Sequence, residues 1–194
     1  MTLPTALSCS RLVLTIGIVI FLNQPGVAAK SAALALFMIA GATDWLDGYL
    51  ARRWGQTSAL GAILDPLTDK VLILGTFGAL TLLGVVPGWM LAIIALREVA
   101  VTVARQAAVS RRVILPAARE GKQKMVSQVG AIVVCLSALV LREWPGGGDG
   151  PPAPLESALP WAVTGSLWLA TVLTATSGIS FFLRYRAALG SSRR

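Results

Sequence analysis

The sequence predicts an all-α integral membrane protein, a bundle of six transmembrane helices. Two observations carry this: composition and the spacing of apolar runs. Of 194 residues, 55% are hydrophobic and 13% charged, about half the charged share of a soluble domain, and mean hydropathy is +0.72. Apolar runs fall at Leu12–Leu22, Ser31–Thr43, Leu67–Val86, Trp89–Thr102, Val126–Leu141 and Leu159–Phe182. Several are shorter than the ~20 residues a span requires, and each reaches that length once its polar flank joins the helix. The chain holds one domain, residues 1–194, with no internal repeat.

Taken in order, the first run follows Pro4 and Ser10-Arg11, which suits a surface segment entering a first span. Its alternative is a signal peptide cut near Val27-Ala28-Ala29, against which stands the scarcity of charge before the apolar core. Arg52 and Arg53 follow the second run. Arg105, Arg111, Arg112, Arg119, Lys122 and Lys124 surround the connection after the fourth, and Arg184, Arg186, Arg193 and Arg194 close the chain. The connections after the first, third and fifth runs carry little net charge. The positive-inside rule therefore places both termini on the cytoplasmic side. Trp144–Pro154, with its PGGGDGPP stretch, reads as an external loop.

The net charge of +8 sits in short loops between apolar runs, which suits topology and anionic headgroups. No soluble basic surface remains for nucleic acid. Cys9 and Cys135 both lie in apolar surroundings and read as small core residues. The chain has no histidine, which removes the commonest general base and transition-metal ligand.

One stretch carries chemistry: Asp44 to Lys70, DWLDGYLARRWGQTSALGAILDPLTDK. Asp44, Asp47, Gly48, Ala51 and Arg52 recur at helical spacing and share a face, as do Gly61, Asp65 and Asp69. A short turn at Gly55–Thr57 makes the two helices antiparallel and lets their acidic faces meet. An ionised aspartate at mid-bilayer costs about 2.5–3.5 kcal/mol, so four of them require a polar cavity near the interface. Four carboxylates without histidine or cysteine suit hard divalent cations, Mg²⁺ or Mn²⁺, and two such ions clamp displacements at phosphorus. Pairing with Arg52, Arg53 and Lys70 explains a single acid but not the whole array. A divalent-cation carrier is the reading from another class. It needs acids reaching across the bilayer, whereas these lie at one face.

The pattern D-x2-D-G-x2-A-R-x8-G-x3-D-x3-D, formed by Asp44, Asp47, Gly48, Ala51, Arg52, Gly61, Asp65 and Asp69, resembles without a gap the motif of the CDP-alcohol phosphotransferases. That family's fold has six helices as well. The resemblance implies a homodimeric membrane enzyme that moves a substituted phosphoryl group from a CDP-linked donor to an alcohol and releases CMP. It implies two metal ions held by Asp44, Asp47, Asp65 and Asp69, with Asp69 also the base for the acceptor hydroxyl. Gly48, Ala51, Arg52 and Gly61 would lie along the CDP moiety.

Further wording is similar to members that join CDP-diacylglycerol to glycerol 3-phosphate: DWLDGYLARRW, LDPLTDK, VPGWM, the Arg97-Glu98 pair and GKQK at Gly121–Lys124. The chain departs from them at Leu96 and Met125, where they tend to carry Gly and Thr. Inositol phosphate, serine and phosphatidylglycerol (the acceptor in cardiolipin synthesis) are the alternative acceptors. A phosphate-bearing acceptor needs cationic donors, and Arg97, Arg105, Lys122 and Lys124 are the candidates. Arg97 within an apolar run is either such a donor or an internal partner of Glu98. Ser177 and Gly178 read as close-packing residues of the last helix. Length and the lack of a targeting element point to a bacterial cytoplasmic membrane, with the active site facing the cytoplasm.

Overall fold

The computed structural model describes residues 3–54, 59–110, 119–144 and 153–191, with side chains for 10–43, 68, 70–108, 121–144 and 154–188. These residues form six α-helices: α1 Leu3–Asn23, α2 Val27–Trp54, α3 Ala59–Leu82, α4 Gly88–Ser110, α5 Arg119–Arg142 and α6 Ala153–Ser191. Each predicted apolar run lies at the heart of one helix, and the polar flanks extend it as expected. The third run is the exception: its helix stops at Leu82, short of Val86.

The stop is built by Gly84, whose φ of 73° lies in the left-handed region. The Gly84 N–H donates to the Thr81 carbonyl at 2.9 Å and the Val85 N–H to the Leu80 carbonyl at 2.9 Å, the paired bonds of a Schellman cap. Val85 packs on the core cluster that contains Leu80. The Pro87 carbonyl then accepts from Met90 at 3.0 Å and opens α4. At the same end of the bundle, Lys30 Nζ donates to the carbonyls of Leu22 at 2.6 Å and Gln24 at 2.8 Å, so a cation closes the C-terminus of α1. The external loop predicted over Trp144–Pro154 gives up its last two residues to α6, which begins at Ala153; a proline in the first turn lacks only an N–H that has no helical acceptor.

Cross-helix contacts fix the directions. Arg11 meets Thr68 and Thr15 meets Gly75, so α1 and α3 run parallel. Trp89 lies against Trp168, Arg97 against Ser177 and Arg105 over Phe181, so α4 and α6 run parallel. Gly17 faces Leu36, which sets α2 against α1. The Gly26 N–H donates to Glu143 Oε2 at 3.1 Å, placing the end of α5 at the start of α2. The helices therefore alternate up and down. The turns at 24–26 and 83–87 share one end with Glu143, while Arg11, Thr68 and Lys124 share the other. α1 packs on α2 and α3, α5 on α2, α3 and α6, and α4 on α3 and α6.

The core draws on every helix: Ile18 and Leu22, Phe37, Phe77 and Leu80, Ile94, Ile132 with Cys135 and Leu136, and Leu167. α1 is thus an integral wall of the bundle, and Val27–Ala29 is the first turn of α2. Cys135 is buried and free, as expected of a core residue; the Cys9 side chain lies outside the described residues. The outer surface is apolar as well, with Leu82, Leu96, Val126 and Trp161 exposed by 72–83%, which suits lipid as the surrounding solvent. Buried hydroxyls are satisfied locally: Thr15, Thr76 and Thr171 each donate to the carbonyl four residues back. Gly121–Arg142 and Pro154–Ala188 are long and apolar enough among the described residues to cross a membrane.

Candidate active site

The acid-bearing stretch is helical on both sides of residues 55–58. Asp44–Trp54 continues α2, and Ala59–Asp69 forms the first three turns of α3. This register puts Asp44, Asp47, Gly48 and Ala51 along one stripe of α2, and Gly61, Asp65 and Asp69 along one stripe of α3. The side chains of these residues and of Arg52, together with residues 55–58, lie outside the described residues, as does the predicted meeting of the two acidic faces. Arg111 and Arg112 lie outside them too.

The described neighbours of that stretch are polar. Arg11, 3% exposed, donates from Nη1 to Thr68 Oγ1 at 3.4 Å. Thr68 is buried and immediately precedes Asp69. A guanidinium from α1 thus reaches the acid-bearing turns of α3. The sequence reading used Arg11 only as a marker of the first helix. An arginine at the polar end of a span, on the same side as the acids, is the signal that marks it.

A second polar cluster joins α4, α5 and α6. Successive residues on a helix point about 100° apart, so Arg97 and Glu98 serve different neighbours. Glu98 turns to α5, where its Oε1 accepts from Lys124 Nζ. Arg97 turns to α6 and donates from Nη2 to Ser177 Oγ at 2.7 Å. Its Nη1 lies 3.4 Å from the same Glu98 oxygen. Its Nε is fully buried and has no hydrogen-bond partner among the described residues. Among the described residues, two cations therefore share one carboxylate, which leaves one positive charge in excess. One turn further along α5, Gln128 Nε2 donates to Thr174 Oγ1 at 2.8 Å and ties α5 to α6.

Of the four cations proposed from sequence for an acceptor phosphate, Arg97 and Lys124 are brought together. Arg105 lies two turns along α4, exposed, with its guanidinium 5.9 Å above the Phe181 ring; Phe181 stacks on Tyr185. Lys122 is exposed. The cluster and the acidic stretch occupy one end of the bundle: Lys124, Arg11 and Thr68 lie there together, and α3 packs on both α4 and α5. Such an arrangement suits an anion, because a planar guanidinium and an ammonium converge with one carboxylate between them.

The family model described as CDP-alcohol phosphatidyltransferase matches residues 1–177. The chain is 34% identical over 167 residues to a protein of Mycobacterium tuberculosis named probable phosphatidylglycerophosphate synthase, a match covering 86% of this chain and 72% of that one. It is 35% identical over 164 residues to the CDP-diacylglycerol–glycerol-3-phosphate 3-phosphatidyltransferase of Bacillus subtilis, covering 84% and 78%. A protein of that same name from Yersinia pestis is 34% identical over 142 residues, covering 69% and 75%.

Proposed function

The chain belongs to the CDP-alcohol phosphatidyltransferase family and is an enzyme of that class; from that premise we propose that it transfers the phosphatidyl group of CDP-diacylglycerol to glycerol 3-phosphate, giving phosphatidylglycerol phosphate and CMP. The observation that carries the choice of acceptor is the cluster of Arg97, Lys124 and Glu98. Among the described residues it carries one positive charge in excess and a buried Arg97 Nε without a partner, beside helices that bring Asp44–Asp69 to the same end. The printed names of the relatives point the same way.

In this reading the acidic stretch handles the donor. Gly48, Ala51 and Gly61 leave room along their helices for the cytidine and its ribose, and Arg52 pairs with the pyrophosphate. The donor set of Asp44, Asp47, Asp65 and Asp69 is all oxygen and anionic, which fits two Mg²⁺ or Mn²⁺ ions. When bound, such ions neutralise phosphoryl oxygens and make a nearby hydroxyl more acidic. Arg97 and Lys124 hold the acceptor's phosphate and so aim its hydroxyl at the donor, with Arg105 and Lys122 at the mouth of the site. The Asp69 carboxylate takes the proton of that hydroxyl. The hydroxyl oxygen bonds to the phosphorus that carries diacylglycerol, the bond from that phosphorus to the CMP oxygen breaks, and CMP leaves with the electron pair.

Residues 1–194 form one catalytic domain in this reading, with all six helices spanning the inner membrane of a bacterium. Both termini and the site face the cytoplasm, and two copies associate as a homodimer. CMP release by the purified protein, with CDP-diacylglycerol and Mg²⁺, tests the acceptor. Glycerol 3-phosphate, inositol phosphate, serine and phosphatidylglycerol are offered separately, and only the first should stimulate. Stimulation by another of the four would replace the product.

A further inference from the structure

We infer that Ser177 and Gly178 of α6 are positioning residues for the acceptor: they hold the Arg97 guanidinium where the acceptor's phosphate binds. The inference rests on the proposed role of Arg97. An arginine in a span ordinarily extends its stem along the lipid and lifts its head towards the headgroups. The neighbours of Arg97 show where the lipid is: Leu96 and Val99 are 72% and 56% exposed. Arg97 is turned the other way. Its stem crosses α6 at Gly178, where a Cβ would stand 3.0 Å from the arginine Cγ and 3.9 Å from its Cβ. Its Nη2 donates to Ser177 Oγ at 2.7 Å, and Ser177 is 4% exposed.

The chemistry of the partner decides what this contact is for. Neutralising a buried arginine takes a carboxylate, and the one that meets Arg97 among the described residues, on Glu98, is shared with Lys124. A serine hydroxyl fixes the direction of the guanidinium and adds no second negative charge to it. The glycine beside it lets the stem lie close against the α6 backbone, at a distance a Cβ would crowd to 3.0 Å. Ser177 and Gly178 therefore act through Arg97 and need touch neither substrate.

Steady-state kinetics of the full chain test this. Ser177→Ala removes a hydrogen bond to a charged donor and should raise KM for glycerol 3-phosphate about tenfold. It should leave kcat and KM for CDP-diacylglycerol near wild type. Ser177→Thr keeps the hydroxyl and should recover most of the loss. Arg97→Lys cannot reproduce the fork and should raise the same KM, and Ser177→Ala should then add nothing to it, because the two act as one unit. Should Ser177→Ala fail to fold, Gly178→Ala in the wild-type and Arg97→Lys backgrounds reads the same coupling. An unchanged KM for glycerol 3-phosphate in Arg97→Lys would remove the acceptor role of Arg97 and this inference with it. A raised KM in Arg97→Lys with no effect of Ser177→Ala, or a full additive effect in the double variant, would overturn the positioning role alone.

Discussion

Glu98 shows how much one side chain holds in place. It is 7% exposed and its Oε1 faces both Lys124 and Arg97. Removing one member of a buried ionic cluster costs about 3–5 kcal/mol, because the partner charge stays buried without compensation. Glu98→Gln should therefore lower the unfolding midpoint in detergent well beyond an ordinary surface change. Replacing Glu98 and Lys124 together, by Gln and Met, should recover much of that stability and still impair binding of glycerol 3-phosphate. A Glu98→Gln protein as stable as wild type would show that the carboxylate does not balance the cluster. The pairing of Lys124 with Glu98 is invisible in the sequence, where the two stand 26 positions apart. Glu98 follows Arg97 directly, so local reading pairs the two, and the structure keeps that contact at 3.4 Å while helical geometry also turns Glu98 to α5 and Arg97 to α6.

Helices as units were legible because hydrophobic runs report lipid and core alike. Every predicted run became one helix, and the polar ends joined as expected. Their limits were less legible, since these depend on caps. Gly84 ends α3 within a run that is apolar up to Val86, and only its φ of 73° distinguishes it from Gly78, which sits inside the same helix. α6 runs for 39 residues, about 58 Å at 1.5 Å per residue, well past the ~30 Å hydrocarbon core. The PGGGDGPP stretch gave no sign that the helix begins at Ala153. The motif from Asp44 to Asp69 was legible because its residues lie on two helices at fixed spacing. Cross-helix partners were not. Ser177 reads as a packing residue until α6 is laid beside α4, 80 positions away in sequence.

At the scale of the molecule, apolar side chains cover both the interior and the outer surface, and most charged residues gather at one end, with Lys30, Arg142, Glu143 and Glu156 at the other. That polarity is what the proposed orientation in the membrane requires. In a background of Cys9→Ala and Cys135→Ala, Gln24→Cys should react with an impermeant thiol reagent in intact cells. Arg186→Cys should react only after permeabilisation, and the opposite pattern would invert the orientation. The up-down order of the helices brings the acidic stretch and the Arg97–Lys124 cluster to the same end although 26 residues separate Lys70 from Arg97, and the central claim is that they form one site. It is tested most directly by following radiolabelled glycerol 3-phosphate with purified protein, CDP-diacylglycerol and Mg²⁺. Label should enter the lipid phase one for one with CMP, stop when the divalent ion is chelated, and fall by roughly 100-fold or more in Asp69→Asn, as expected for loss of a general base. CMP released at the same rate without an acceptor, or full transfer by Asp69→Asn, would contradict it.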